Sequence, residues 1–138
     1  MQPTEMSDLT SALYEVLDAT IEVQCADFGD IQLYDESTET LKIVAHRGLD
    51  QKFLDYFATV DAAEASACAL ALRSGTRITI EDVNTHPDFE SHRAIAASTG
   101  FRGVQSTPLI DRHSGKLLGM LSTHPRAVPA FCARAAAD

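Results

Sequence analysis

The stretch from Phe101 to His124, FRGVQSTPLIDRHSGKLLGMLSTH, decides how the chain is read. Two largely apolar runs, Val104 to Ile110 and Lys116 to Thr123, flank DRHSG, whose Gly115 suits a short hairpin loop. Polar residues interrupt both runs: Gln105, Ser106, Thr107, Ser122, Thr123 and His124. Such blurred alternation is expected of strands with helices on one face and a further helix layer on the other. The polarity then divides by face. Some of these groups are expected to meet the first helix or solvent, while Gln105 and Thr107 look into a pocket.

Working outward, Ser7 and Asp8 are cap and first-turn residues for a helix to about Cys25, in which Leu9, Leu13, Val16, Leu17 and Ile21 recur at helical spacing. Phe28 to Tyr34 alternates Gly29, Ile31 and Leu33 against Asp30, Gln32 and Tyr34. Leu41 to His46 alternates in the same way, and the polar DESTET between them makes an antiparallel hairpin. Asp50 to Phe57 and the alanine-rich Ala62 to Leu72, ending at Gly75, are helical pieces. Arg77 to Ile80 is a strand. Asn84 to Pro87 is turn chemistry, and Asp88 to Ser98 is a helix stopped near Gly100.

Hairpins interrupted by helices indicate the α+β class, with a central, mostly antiparallel sheet of five to six strands and helices on both faces. At 138 residues the chain is expected to be a single domain: an N-terminal helix within 1–26, a core over 28–124, and a short C-terminal segment, 125–138. That last segment carries Pro125 and Pro129 and has room for few helical turns.

The 11 Lys and Arg against 20 Asp and Glu leave a net charge of -9, with no basic stripe. Nucleic acid and anionic lipid are therefore not expected as partners. No apolar run is long enough to span a bilayer and the start has no signal-peptide pattern, so the expected location is cytoplasmic. Cys25, Cys68 and Cys132 match no C-x-x-C spacing and are expected as buried free thiols.

No G-x-S-x-G elbow supports a triad among Ser106, Ser122, His113 and His124. His46, His86, His92, His113 and His124 lack metal-ligand spacing, and no Gly-rich loop cradles a phosphate. No catalytic and no metal residues are expected, and no cofactor is identified. A mostly apolar pocket with polar anchors is a better fit: Tyr56, Phe57, Phe89 and Phe101 supply aromatic walls, and Asp82, His86, Gln105 and Thr107 the orienting groups. Cys68 in SACALAL is either a packing residue or a nucleophile inside that pocket.

The phrases DIQLYDESTETLKIVAHRGL, FLDYFATV, SACALALRSGTRITIEDVNTHPDF and STGFRGVQSTPLIDRHSGKLLGMLSTH, in this order, resemble the GAF domain family, in particular the bacterial signalling domains associated with histidine kinases. The resemblance implies a GAF/PAS-like sheet, with the first helix and a C-terminal helix on one side and a roofed pocket on the other. It implies pocket positions at Cys68, Asp82, His86, Phe89 and Gln105, to which the aromatic reading adds Phe101 and the strand reading Thr107. The expected function is non-catalytic sensing: an unidentified small molecule in the pocket, a homodimer through the N-terminal helix, and a kinase or other output partner. The alternatives are a small redox enzyme using Cys68, of the methionine sulfoxide reductase kind, and a ligand-free dimerisation module.

Overall fold

The computed structural model of the chain describes residues 3–61 and 66–127. Helix α1 spans Pro3–Gln24 and is followed by the hairpin of β1 (Phe28–Asp35) and β2 (Thr40–Arg47). It begins ahead of the expected Ser7 start, because a proline is tolerated in a first helical turn. Asp50 caps α2 (Gln51–Tyr56) by accepting from the Phe53 backbone N–H. A two-residue strand, β3 (Val60–Asp61), was not expected as a separate element; it extends the sheet beside β2.

Helix α3 runs Ala67–Ser74, starting at the Ser66 cap rather than at Ala62. Residues 62–65 of the expected helical piece lie outside the described residues, as do Cys132 and the rest of 128–138. Gly75 ends α3 in the left-handed conformation, and Gly100 does the same for the helix Arg93–Thr99. After β4 (Ile78–Ile80), the expected single helix is divided into a 3-10 turn, Pro87–His92, and α4 (Arg93–Thr99). The hairpin of β5 (Val104–Ile110) and β6 (Leu117–His124) follows.

The six strands form one antiparallel sheet in the order β3-β2-β1-β6-β5-β4. Strand β1 is central, bonded to β2 on one edge and to β6 on the other. One face packs under α1, where Leu17, Ile31 and Ala45 are buried with Leu13, Tyr14, Ile21, Leu109 and Leu121 around them. The opposite face carries the larger core, in which Phe53, Phe57, Phe89 and Phe101 join Leu41, Ile80, Val83 and Met120.

Gly119 permits this sheet. A Cβ there would run into the Gln32 carbonyl oxygen, so β6 approaches β1 as closely as only glycine allows. The cysteine expectation needs correction. Cys25, just after α1, is exposed and disulfide-bonded, with a left-handed backbone (φ 56). Cys68 is a free thiol and only half buried.

Candidate functional site

A cavity of about 20 Å3 lies between the second face of the sheet and the elements that cover it. Its floor is Asp30 and Gln32 from β1, Ile43 from β2, Val104 and Ser106 from β5, and Ser122 and His124 from β6. Phe53 of α2, Phe57 at its C-terminal cap, Phe89 of the 3-10 turn, Phe101, and Ser66 to Cys68 at the start of α3 cover it.

The period of two in a strand explains which side chains arrive here. In β1, Gly29 and Ile31 turn toward α1, so Asp30 and Gln32 turn inward. Asp30 stands opposite Ser122, which stands opposite Ser106, giving a polar row across three strands. The hydroxyls of Ser106 and Ser122 are 2.7 Å apart and satisfy each other. On β6 the same parity that brings in Ser122 and His124 sends Thr123 to the α1 face, where its hydroxyl donates to the Gln24 side-chain carbonyl.

Charge is nearly absent from this space. Asp30 is 3% exposed, and burial pushes its carboxyl up to about 8, so it is mostly protonated at neutral pH. His124 is 4% exposed and burial lowers it to about 3, which keeps the ring neutral even though a hydrogen bond to the Phe28 backbone favours the charged form. The rings of Phe53 and Phe101 lie 5.4 and 4.8 Å from that imidazole. Among the described residues, neither Lys nor Arg lines the cavity.

Two buried atoms of the lining residues, the Gln32 Oε1 and the His124 Nδ1, have no hydrogen-bond partner among the described residues. Unpaired buried polar atoms are rare, and each calls for an explanation. The Gln32 Nε2 donates to the Cys68 Sγ at 4.0 Å, and that sulfur also lies 3.3 Å from the Ser66 hydroxyl.

Of the residues singled out in the sequence, Phe57, Cys68, Phe89 and Phe101 are brought together at the cavity, whereas Tyr56 lies outside it, its hydroxyl on the His92 Nδ1. Gln105 and Thr107, expected to look inward, are on the other face: Gln105 accepts from the Thr79 hydroxyl and Thr107 from the Arg77 Nε. The register Ile78↔Ser106 fixes the opposite parity, since it is Val104 and Ser106 that are buried. Asp82 also lies apart, paired with Arg102 at 2.9 Å; that guanidinium and the Asn84 N–H hold its carboxyl below the usual range. His86 accepts from the Asp88 N–H and caps the 3-10 turn. Both brace the segment that carries Phe89.

Missed in the sequence were Asp30, Gln32, Ser66, Ser106, Ser122 and His124. The available signal was polar side chains at regular alternate positions of β1, a strand that is bonded on both edges. Among the described residues no three His, Cys, Asp or Glu are grouped to hold a metal ion, and no helix is long and apolar enough to cross a membrane.

A family model of the GAF domain matches residues 6–136. Among solved structures, a GAF domain of a phosphoenolpyruvate-protein phosphotransferase from Coxiella burnetii is 23% identical, with a TM-score of 0.74 over 94% of this chain and 74% of that one. A free methionine-R-sulfoxide reductase from Neisseria meningitidis, in complex with its substrate, is 19% identical (TM-score 0.69; 91% and 67% covered). A domain of a two-component sensor histidine kinase protein from Sinorhizobium meliloti 1021 is 20% identical (TM-score 0.63; 96% and 80% covered). At these identities the likeness is one of fold. No curated protein matches the chain.

Proposed function

The chain belongs to the GAF domain family, and on that premise we propose that it is a non-catalytic regulatory domain that binds a small molecule in the cavity over the sheet. The observation that carries this reading is the pair of buried acceptors, Gln32 Oε1 and His124 Nδ1, that belong to residues lining the aromatic cavity and have no partner among the described residues. A buried acceptor left unpaired costs about 1–3 kcal/mol, and a bound molecule with donors at those points recovers it. Asp82, His86, Gln105 and Thr107 act in this reading outside the cavity, as supports of its rim and of the sheet.

The domain works as a homodimer through α1. Leu9 and Val16 are 44% and 51% exposed, and Ala12 and Ala19 fall between and after them on the same exposed face. Such a dimer passes the state of the cavity to an output domain or partner such as a kinase. Native mass spectrometry of the protein purified from its own host tests the binding reading: a small-molecule mass released on denaturation supports it. Its absence from every preparation favours the ligand-free dimerisation module.

One observation favours a second reading, in which Cys68 is a nucleophile: its sulfur borders the cavity in the first turn of α3, where the helix end favours a thiolate. Rapid labelling of Cys68 by a thiol reagent at neutral pH supports this reading, and sluggish labelling rejects it.

A further inference from the structure

Resting on the reading of the cavity as a ligand site, we infer that its ligand class is a small cation rich in N–H donors, an ammonium ion or the head of a small primary amine, anchored by Asp30. The orphaned atoms of the lining residues are both acceptors. Because the Gln32 Nε2 is engaged with the Cys68 Sγ, it is the amide oxygen that is left over. Because the His124 ring is held by the Phe28 backbone, the remaining nitrogen, Nδ1, is a bare lone pair. Asp30 lies between these two, two residues from Gln32 along β1 and diagonal to His124 across the pair Phe28↔His124. The other polar pair on the floor, Ser106 and Ser122, needs nothing.

An anion finds little complement here. With no Lys or Arg on the described lining and a neutral imidazole, it would meet no full positive charge: the Gln32 amide N–H is taken by Cys68, the Ser106 and Ser122 hydroxyls by each other, and what is left is the start of α3 beside a carboxyl group and four phenylalanines. A cation gains both from the carboxylate and from ring faces. Size restricts the class further. About 20 Å3 accepts one water-sized group, so a cyclic nucleotide or tetrapyrrole is too large for this arrangement.

Binding exchanges one proton. The protonated Asp30 carboxyl gives its proton to solvent, and the carboxylate then accepts from the ligand N–H: Asp-COOH plus R-NH3+ becomes the bound ion pair plus H+. The titratable groups facing Asp30 are Cys68 from α3, His124 from β6, and His46 at the opposite position on β2. The helix α2, the 3-10 turn and the loop after α4 present only phenylalanines. Since the free carboxyl titrates at about 8, affinity for the cation rises with pH up to that point, about tenfold per pH unit.

The test is thermal unfolding of the full chain near pH 8 with ammonium chloride, methylammonium chloride, tetramethylammonium chloride, sodium nitrate or sodium acetate, each matched against sodium chloride. The first two are expected to raise Tm progressively with concentration, and tetramethylammonium, which has the charge but no N–H, is not. The rise is expected to vanish in Asp30→Asn and to shrink in Gln32→Met; calorimetry of the wild type is expected to show release of about one proton well below pH 8. Stabilisation by nitrate or acetate in place of the amines overturns the ligand class and leaves the binding reading intact. The ligand class is likewise overturned, and binding retained, if none of the salts acts while native mass spectrometry still finds a bound molecule. If neither experiment finds anything, both readings fail. An unchanged amine response in folded Asp30→Asn also overturns the assignment, and if that variant fails to fold, an unchanged response in Gln32→Met does so.

Discussion

At the scale of single residues, Asp30 and His124 impose opposite pH dependences on the same core. Asp30 keeps its proton in the folded state up to about pH 8, whereas the unfolded chain loses it near 3.8, so folding stability falls as pH rises between those values. His124 stays neutral down to about pH 3 when folded but is protonated below 6.5 when unfolded, so its contribution falls as pH drops through that window. Where the windows overlap, from about pH 4 to 6.5, the two slopes cancel, and above 6.5 only the Asp30 slope, of about 1.4 kcal/mol per pH unit, remains. Urea unfolding of the wild type and Asp30→Asn is therefore expected to diverge as pH rises from about 6.5 to 8, with the variant losing less stability. Parallel curves would mean that Asp30 is charged or solvated in the folded protein. None of this was legible in the sequence, where Asp30 and Gln32 were the polar half of an alternating strand. Alternation gives the parity of a strand but not which side is solvent, and here both sides are covered. For the same reason the inward positions of β5 were assigned to Gln105 and Thr107, one residue out of phase with Val104 and Ser106.

Elements were legible where local chemistry defined their ends. Gly75 and Gly100 end the expected helices and the structure uses both, while Asp50, expected as the first helical residue, is the cap of α2. The hairpins followed from alternation and turn residues, with Gly115 in the left-handed conformation after Asp111, whose side chain accepts from the His113 and Ser114 N–H groups. What escaped was set by tertiary contact: β3 is only two residues long and exists because Leu41 pairs with Val60. The division of the 3-10 turn from α4 likewise depends on Arg93, which binds the carbonyls of Val83 and His86. Packing between elements makes a sharp contrast at two glycines. In Gly119→Ala the new methyl meets the Gln32 backbone, which cannot yield without opening the β1–β6 pair, whereas in Gly29→Ala it meets the ends of the Leu17 and Ile21 side chains at 2.9 and 3.0 Å. The first is expected to lose about 3 kcal/mol or more, and the second about 1 kcal/mol as those side chains rotate. Chemical denaturation measures both, and equal losses would contradict the close approach at Gly119.

For the whole molecule, the exposed face of α1 argues for both a dimer and its direction. Leu9, Ala12, Val16 and Ala19 follow the three-four spacing of a coiled-coil seam, distinct from the Leu13, Leu17 and Ile21 face that packs on the sheet. Counting these as seam positions places Asp8, Glu15 and Glu22 together along one flank and Leu13 and Thr20 along the other. An antiparallel pair would set the acidic flanks of the two copies against each other. A parallel pair sets each acidic flank beside Leu13 and Thr20 of its partner copy, which the like-charge penalty favours. The small Ala12 and Ala19 allow the helices to approach closely, and with a charge of -9 on each copy, added salt is expected to tighten the association. Light scattering is expected to give a dimer for the wild type and, for Val16→Glu, a monomer that still unfolds cooperatively, since Val16 lies outside both cores, but at a lower Tm because the stabilising association is lost. Ala12→Cys distinguishes the direction: in a parallel pair the two new thiols face each other across the seam and cross-link under mild oxidation, while in an antiparallel pair they are displaced along the axis and stay apart. A wild-type monomer at high concentration and high salt would remove the dimer, and a dimer that resists cross-linking at position 12 would reverse its direction.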